Sequence, residues 1–355
     1  MSALHGVSSA LPGGEGELWA CTLDLLWRSG PRPSGDYQRQ VHAAFLRWLQ
    51  AVDPSLTDEL HRPNALRPYT VAVLGEKGPQ PSPRMTLRCT VLDHRVFQAF
   101  VQRCLPGGGS TAWQLRDAVF ELTRISLVSD RSGWTGWMTF AGLLDQASAV
   151  PGITIEFVTP TAFSMGDEGQ EAATNVVVSV PAVLDEHSGD GGASEPAEII
   201  RPIAAVVTER AASPVVDREG NESIASPTTV PDRTPAAAPH RRDGRKRIEL
   251  FPQPRWVWES LVRKWNAFAP QAQRMDIRAV AAVAARGLVA DYELRTVTLD
   301  YGRFPQKGFV GWVRYEFRAA TERELRELHA LADFAFYAGT GYKTAMGMGQ
   351  TRRRP

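Results

Sequence analysis

The sequence predicts an α+β protein: two tandem ferredoxin-like βαββαβ domains with a long disordered insertion in the second. Three observations carry that prediction. Residues 17–128 show strand- and helix-period patterns in the order β-α-β-β-α-β. The same order returns after residue 151 once a central stretch is skipped. That stretch holds no aromatic residue between Phe163 and Phe251. The expected bounds are 1–150 for the N-terminal domain, 151–184 with 248–355 for the C-terminal domain, and 185–247 for the insertion.

In the first domain, residues 18–27 alternate well enough for a strand. Tyr37, Val41, Ala44, Phe45, Trp48, Leu49 and Val52 recur at helical spacing. Asp53-Pro54 opens a second short helix, with aspartate as cap and proline at the first helical position. Residues 69–74 and 85–92 read as strands, 96–105 as a helix broken by 106–109, and 119–128 as a strand.

The second domain opens with a strand at 153–158, and 176–180 is a further short strand. Residues 185–247 are rich in Pro, Ala, Ser, Thr, Gly and Glu and end in the basic run 241–247. Such a composition cannot bury enough apolar surface to offset its ordering entropy. Order resumes at Pro254, where Val257, Leu261, Trp265 and Phe268 mark a helix face. Residues 292–299 and 310–317 read as paired strands. Thr321-x-x-Glu324 is a capping box, followed by Leu325, Leu328, Ala332 and Ala335 at helical spacing. Gly339 ends that helix, and a final strand is expected at 346–352.

Composition limits the function. Hydrophobic residues make up 43% of 355 and the formal net charge is +1, so a polyanion site must be a local patch. Cys21, Cys89 and Cys104 form no CxxC pair, which argues against a zinc site or a disulfide framework and for a reducing, cytoplasmic setting. The N-terminus lacks a signal-peptide pattern, and no apolar run is long enough to span a membrane. No HExxH or acidic cluster appears, so no metal and no cofactor is expected.

The densest motif lies at 339–350, with glycines at 339, 341, 347 and 349. Glycines at this spacing let a backbone approach a phosphate closely and turn N–H groups toward it. Lys343, Thr344 and Gln350 add side-chain donors. The plainer reading is a loop that caps a helix. A nucleoside-triphosphate loop is excluded, because GxxxxGK[ST] must follow a strand and precede a helix. Residues 307–315, starting at Lys307, resemble the K-G-F-G-F-V-x-Y strand of RNA-recognition modules with one extra residue, and read equally as a hairpin strand with an aromatic core face. His61 falls at a helix–loop junction, because Pro63 disfavours continuation. Alone it reads as a histidine favoured by the helix dipole. His42 alone reads as a boundary histidine of the first long helix. Ribonuclease chemistry without a metal needs few parts: a base for the 2′-OH, an acid for the 5′-oxygen, and a cation for the phosphorane.

Taken in order, these segments resemble one family. They are Leu60-His61, Arg67-Pro68-Tyr69-Thr70, Phe157 to Thr161, Trp265-Asn266, Lys307-Gly308-Phe309-x-Gly311, and Tyr337 through Gly349. The chain is similar to the CRISPR-associated repeat-processing endoribonucleases of the RAMP superfamily, over nearly its whole length except about 164–250. The resemblance implies metal-independent cleavage of CRISPR repeat RNA in precursor transcripts, leaving a 2′,3′-cyclic phosphate and a 5′-hydroxyl. It also implies retention of the guide RNA and association with other subunits of an interference complex. It places His61 at the catalytic histidine, Arg67 where a lysine commonly steadies the phosphate, and His42 as a partner on the first helix. Gly339, Gly341, Lys343, Thr344, Gly347, Gly349, Gln350 and Lys307 are the expected RNA contacts. Leu46 stands where relatives often carry a tyrosine. That departure supports an alternative: a non-catalytic subunit that holds the 3′ handle of the guide RNA.

Overall fold

The computed structural model describes residues 16–31, 37–63, 65–74, 82–104, 111–127, 133–165, 247–299, 301 and 305–354. The expected strand at 176–180, the break at 106–109 and residues 185–246 of the expected insertion lie outside them.

The N-terminal half runs β1 (Glu17–Ser29), α1 (Gln38–Gln50), α2 (Pro54–His61), β2 (Tyr69–Leu74), β3 (Arg84–Val91), α3 (His94–Cys104), β4 (Ala112–Leu115), β5 (Ala118–Ser126), β6 (Gly136–Thr139) and α4 (Phe140–Asp145). Its strands are ordered β2-β3-β1-β5-β4, with β6 also paired to β1. The neighbours β1–β3, β1–β5 and β2–β3 are antiparallel. The four expected strands therefore take the ferredoxin-like order. β4, β6 and α4 were not expected; each is only four to six residues long, too short for periodicity to show. The Asp53 cap is as read: its Oδ1 accepts the Leu56 N–H at 2.8 Å.

β1 is buried on both faces over its first half. Trp19, Cys21, Leu23 and Leu25 join Val41, Phe45, Leu49 and Phe100 in the N-terminal core. Trp19 stacks on Phe97 at 4.1 Å. Leu18 and Ala20 point the other way, into the core of the C-terminal half. A central strand covered on both sides loses the clean apolar–polar alternation of a one-sided strand.

The C-terminal half runs β7 (Gly152–Thr161), β8 (Phe163–Met165), β9 (Arg247–Glu249), α5 (Pro254–Phe268), α6 (Ile277–Ala285), β10 (Leu288–Leu299), β11 (Gln306–Glu316), α7 (Glu322–Ala338) and β12 (Thr351–Arg354). Its main sheet is ordered β10-β11-β7-β12, again ferredoxin-like and antiparallel throughout. α6 and the small β8–β9 ribbon are additions to the expected plan. Val257, Trp258, Leu261, Val262 and Trp265 of α5 are fully buried, and Trp258 Nε1 donates to Leu328 O of α7 at 3.0 Å. The capping box forms as read: the Thr321 N–H donates to Glu324 Oε2 at 2.7 Å, and Thr321 Oγ1 accepts the Glu324 N–H at 3.3 Å. α7 stops at Gly339, with φ 63°.

One boundary moves. The final strand begins at Thr351 instead of 346. Residues Thr344–Met346 form a 3-10 turn, and Gly347 and Gly349 follow at φ 89° and 70°. Left-handed backbone cannot continue a pleated strand, so pairing starts only after Gly349.

Candidate active site

His61 is the last residue of α2 and is exposed. Its Nδ1 lies 2.9 Å from Thr57 O, one helical turn back. A carbonyl can only accept, so Nδ1 carries the proton in the neutral ring. That choice of tautomer leaves the Nε2 lone pair free to take one. Arg67 lies on the loop leading to β2. Its Nη2 donates to Arg62 O at 2.9 Å and its Nη1 to Ala65 O at 3.1 Å. These bonds tie the guanidinium to the same turn that ends α2, so His61 and Arg67 are set by one piece of backbone.

His42 comes from α1 and is partly buried. Its ring stacks near Tyr69 of β2, with centroids 6.1 Å apart and planes at 18°. Burial draws its pKa down to about 4; a hydrogen bond with the Ala345 backbone opposes the shift, and the positive charges of Arg67 and His61 add to it. Arg67 and His61 are therefore both within electrostatic reach of His42. Among the described residues, Nδ1 of His42 is buried without a partner. A buried ring nitrogen left unpaired is costly for the fold and is common where a site is built to receive something. The three residues singled out as catalytic are thus brought to one place, where α1, the end of α2 and the start of β2 meet.

The glycine-rich stretch reaches the same place from the other end of the chain. Ala345 is buried within the N-terminal core cluster. A Cβ on Gly347 would strike the Gln38 side chain of α1, and one on Gly349 would strike Thr340 O. Most of the backbone N–H groups placed so far serve the protein itself. Thr340 donates to Gly349 O at 2.8 Å, Tyr342 to Ala162 O at 3.1 Å, Gly349 to Pro160 O at 3.1 Å, and Gly341 to Ser260 Oγ at 2.9 Å. Gly339, Thr344, Gly347, Gly349 and Gln350 are buried. The stretch is accordingly packed as a plug between the two halves. Lys343 is its half-buried cation, held at φ 56° with Nζ 5.5 Å from the Tyr301 ring and 5.4 Å from the Tyr342 ring. Burial lowers its pKa. Lys307 is exposed on β11, some distance along the chain from this loop.

Two residues that sequence reasoning passed over complete the surroundings. Lys264 of α5 is buried, and its Nζ donates to Ala338 O, Gly339 O and Thr344 Oγ1 at 3.2, 3.0 and 3.2 Å. Burial draws its ammonium down to about 7. The signal was legible: helical spacing puts Lys264 on the stripe of Val257 and Leu261. Arg88 of β3 is 1% exposed and gave no signal, since among Thr86 and Thr90 it reads as part of a wet face. Its Nη1 donates to Gln350 Oε1 at 2.6 Å, Nη2 to Phe336 O at 2.7 Å and Nε to Trp134 O at 3.0 Å. Gln350, expected to contact RNA, instead donates from Nε2 to Thr70 Oγ1 at 3.0 Å. Leu46 packs in the N-terminal core at 6% exposure.

Residues 223–351 match the model of the family CRISPR-associated endoribonuclease Cas6. The resemblance read from the C-terminal motifs stands on this match. No curated protein matches the sequence. Among solved structures the chain is similar to a Cas6 product complex, with TM-score 0.65 and 22% identity over 96% of this chain and 100% of that one. It is also similar to Thermus thermophilus Cas6, with TM-score 0.59 and 20% identity over 96% and 100%. A Cas6 substrate-mimic complex gives TM-score 0.58 and 20% identity over the same shares. At these identities the likeness is one of fold, and it extends over both halves of the chain.

Proposed function

We propose that this chain is a metal-independent endoribonuclease that cleaves CRISPR repeat RNA in precursor transcripts and keeps the guide RNA it produces. The observation that carries the reading is the meeting of His61, Arg67 and His42 at one junction, reached by the stretch whose motif is the most specific to the family. The solved relatives include Cas6 bound to product and to a substrate mimic, which favours repeat RNA as the partner. Other subunits of an interference complex are further partners.

His61 Nε2 takes the proton of the 2′-OH, and the oxygen attacks the adjoining phosphorus. The P–O bond to the 5′-oxygen breaks, giving a 2′,3′-cyclic phosphate and a 5′-hydroxyl. Arg67 offers fixed positive charge to the phosphorane, whose negative charge grows in the transition state. His42 is neutral at pH 7 when the site is empty. A phosphodiester placed beside it raises its proton affinity by charge, so that it can hand a proton to the leaving oxygen. Lys343 and Lys307 are the cations left for the RNA backbone.

The test is single-turnover cleavage of repeat RNA in excess EDTA. Wild type should cut and leave a cyclic phosphate, and a 2′-deoxy sugar at the cut should abolish the reaction. His61→Ala should slow it by about 10²- to 10⁴-fold, the usual worth of a general base. A strict need for magnesium, or full activity in His61→Ala, would falsify the reading. The core position of Leu46, with no hydroxyl there, favours a second reading as a non-catalytic holder of the guide RNA. Tight repeat binding with no cleavage, unaffected by the 2′-deoxy sugar, selects that reading.

A further inference from the structure

We infer that Lys264 is a positioning residue for His42: from α5 it clamps the Thr344–Met346 turn, and that turn seats Ala345 against the histidine. The inference rests on the proposed ribonuclease reading for its activity readout, while its structural readout stands apart.

The contacts form an unbroken series. Lys264 Nζ, fully buried, spends its three protons on Ala338 O, Gly339 O and Thr344 Oγ1. The first two are carbonyls at the C-terminal end of α7, where unpaired carbonyls and the helix dipole favour a cation. The third is the side chain of the first residue of the 3-10 turn. The turn packs against α1 and β2, the two elements that hold His42 and Tyr69. Ala345, its middle residue, enters the N-terminal core and its backbone is hydrogen-bonded with the His42 ring. On the far side of the turn, the Met346 and Met348 N–H groups donate to Lys343 O, at 2.9 and 3.4 Å. The left-handed Lys343 is the bend that lets Thr344 reach Lys264 while Ala345 reaches His42.

A lysine placed only to fill space would be a poor choice here, because a buried ammonium costs several kcal/mol of desolvation unless its protons are used. A buried group of that cost is explained by what it holds in place. In its ammonium form the lysine fixes Thr344 more firmly than a neutral donor would. The burial of His42, which governs its proton affinity, depends on where the turn sits.

The experiment uses the full chain and three variants: Lys264→Met, Thr344→Val and Thr344→Ser. His42 is followed by its imidazole NMR titration, assigned with His42→Gln, and cleavage by single-turnover rates on repeat RNA with the RNA dissociation constant measured alongside. In Lys264→Met and Thr344→Val, water should reach His42, and its titration should move up toward the ordinary histidine range. Cleavage should slow by about 10- to 100-fold, the scale set by an ångström of misplacement, and in Lys264→Met, whose own side chain is no expected RNA contact, RNA affinity should stay within about twofold. Thr344→Ser keeps the hydroxyl and should restore both readouts. An unchanged His42 titration in Thr344→Val overturns the inference, whether or not Lys264→Met folds. If wild type cuts no RNA yet His42 shifts as described, the positioning role stands and the ribonuclease reading is the one that fails.

Discussion

At the scale of single residues, the lowered pKa of His42 couples folding to pH. The ring titrates near 4 in the folded chain because it is buried against Tyr69 and Ala345, with Arg67 and His61 adding unfavourable charge. An unfolded histidine titrates near 6.5. Between those values the unfolded chain takes up a proton that the folded chain refuses. The stability held in the neutral ring is therefore present above 6.5 and lost as the pH falls through 4. A shift of this size corresponds to about 3 kcal/mol. Urea unfolding at pH 7 and pH 4 should show wild type losing about that much more than His42→Gln. Parallel losses in the two proteins would remove burial as the cause. The placement of His61 and Arg67 could be read from the sequence because local rules govern it: a capped short helix, stopped by Pro63, sets one at its end and the other just beyond. The burial of His42 could not, because its cover comes from Ala345 at the opposite end of the chain. Nothing in the spacing of α1 reports a contact made by a distant loop.

At the scale of elements, the glycine-rich stretch shows how a motif can be recognised while the contacts that hold it stay hidden. The glycines stand out in the sequence, and left-handed backbone is indeed what they supply, at φ 63°, 79°, 89° and 70°. What the sequence cannot show is the surface they press against. Gly347 lies so close to Gln38 that a methyl group has no room, and the Gln38 amide is already used, since its Oε1 accepts the Val73 N–H at 3.0 Å. Gly347→Ala should cost about 1–3 kcal/mol, from left-handed strain and displacement of Gln38 together. It should also weaken cleavage, since Gln38 and His42 share α1. A thermal midpoint equal to that of wild type would mean that the loop is not wedged there. The contrast with α7 is instructive. Its capping box and its glycine stop are contained in four or five neighbouring residues, so both were readable in full.

At the scale of the whole molecule, the two sheets were readable and their joining was not. Each βαββαβ order comes from patterns within one segment, and the ferredoxin-like strand order follows from it. The joint is made by Arg88, a charged residue in the middle of a strand, whose partners Trp134, Phe336 and Gln350 lie far away in the sequence. Its guanidinium is wedged by Trp134 and Phe336, 5.1 and 4.3 Å from their ring centroids, while three donors reach two carbonyls and an amide. Gln350 passes the link on to Thr70, next to Tyr69, and its own N–H donates to Thr159 Oγ1 at 2.9 Å. Arg88→Met keeps most of the stem but leaves one buried and two part-buried acceptors without a donor, each worth up to about 1–3 kcal/mol. Some of that is regained because the cation no longer has to be desolvated. A net loss of about 3–5 kcal/mol in urea is expected. Gln350→Leu breaks the same network from the other side, so the double variant should lose less than the sum of the two single losses. If the losses simply add, within about 0.5 kcal/mol, Arg88 and Gln350 act independently and their shared network is not what joins the halves.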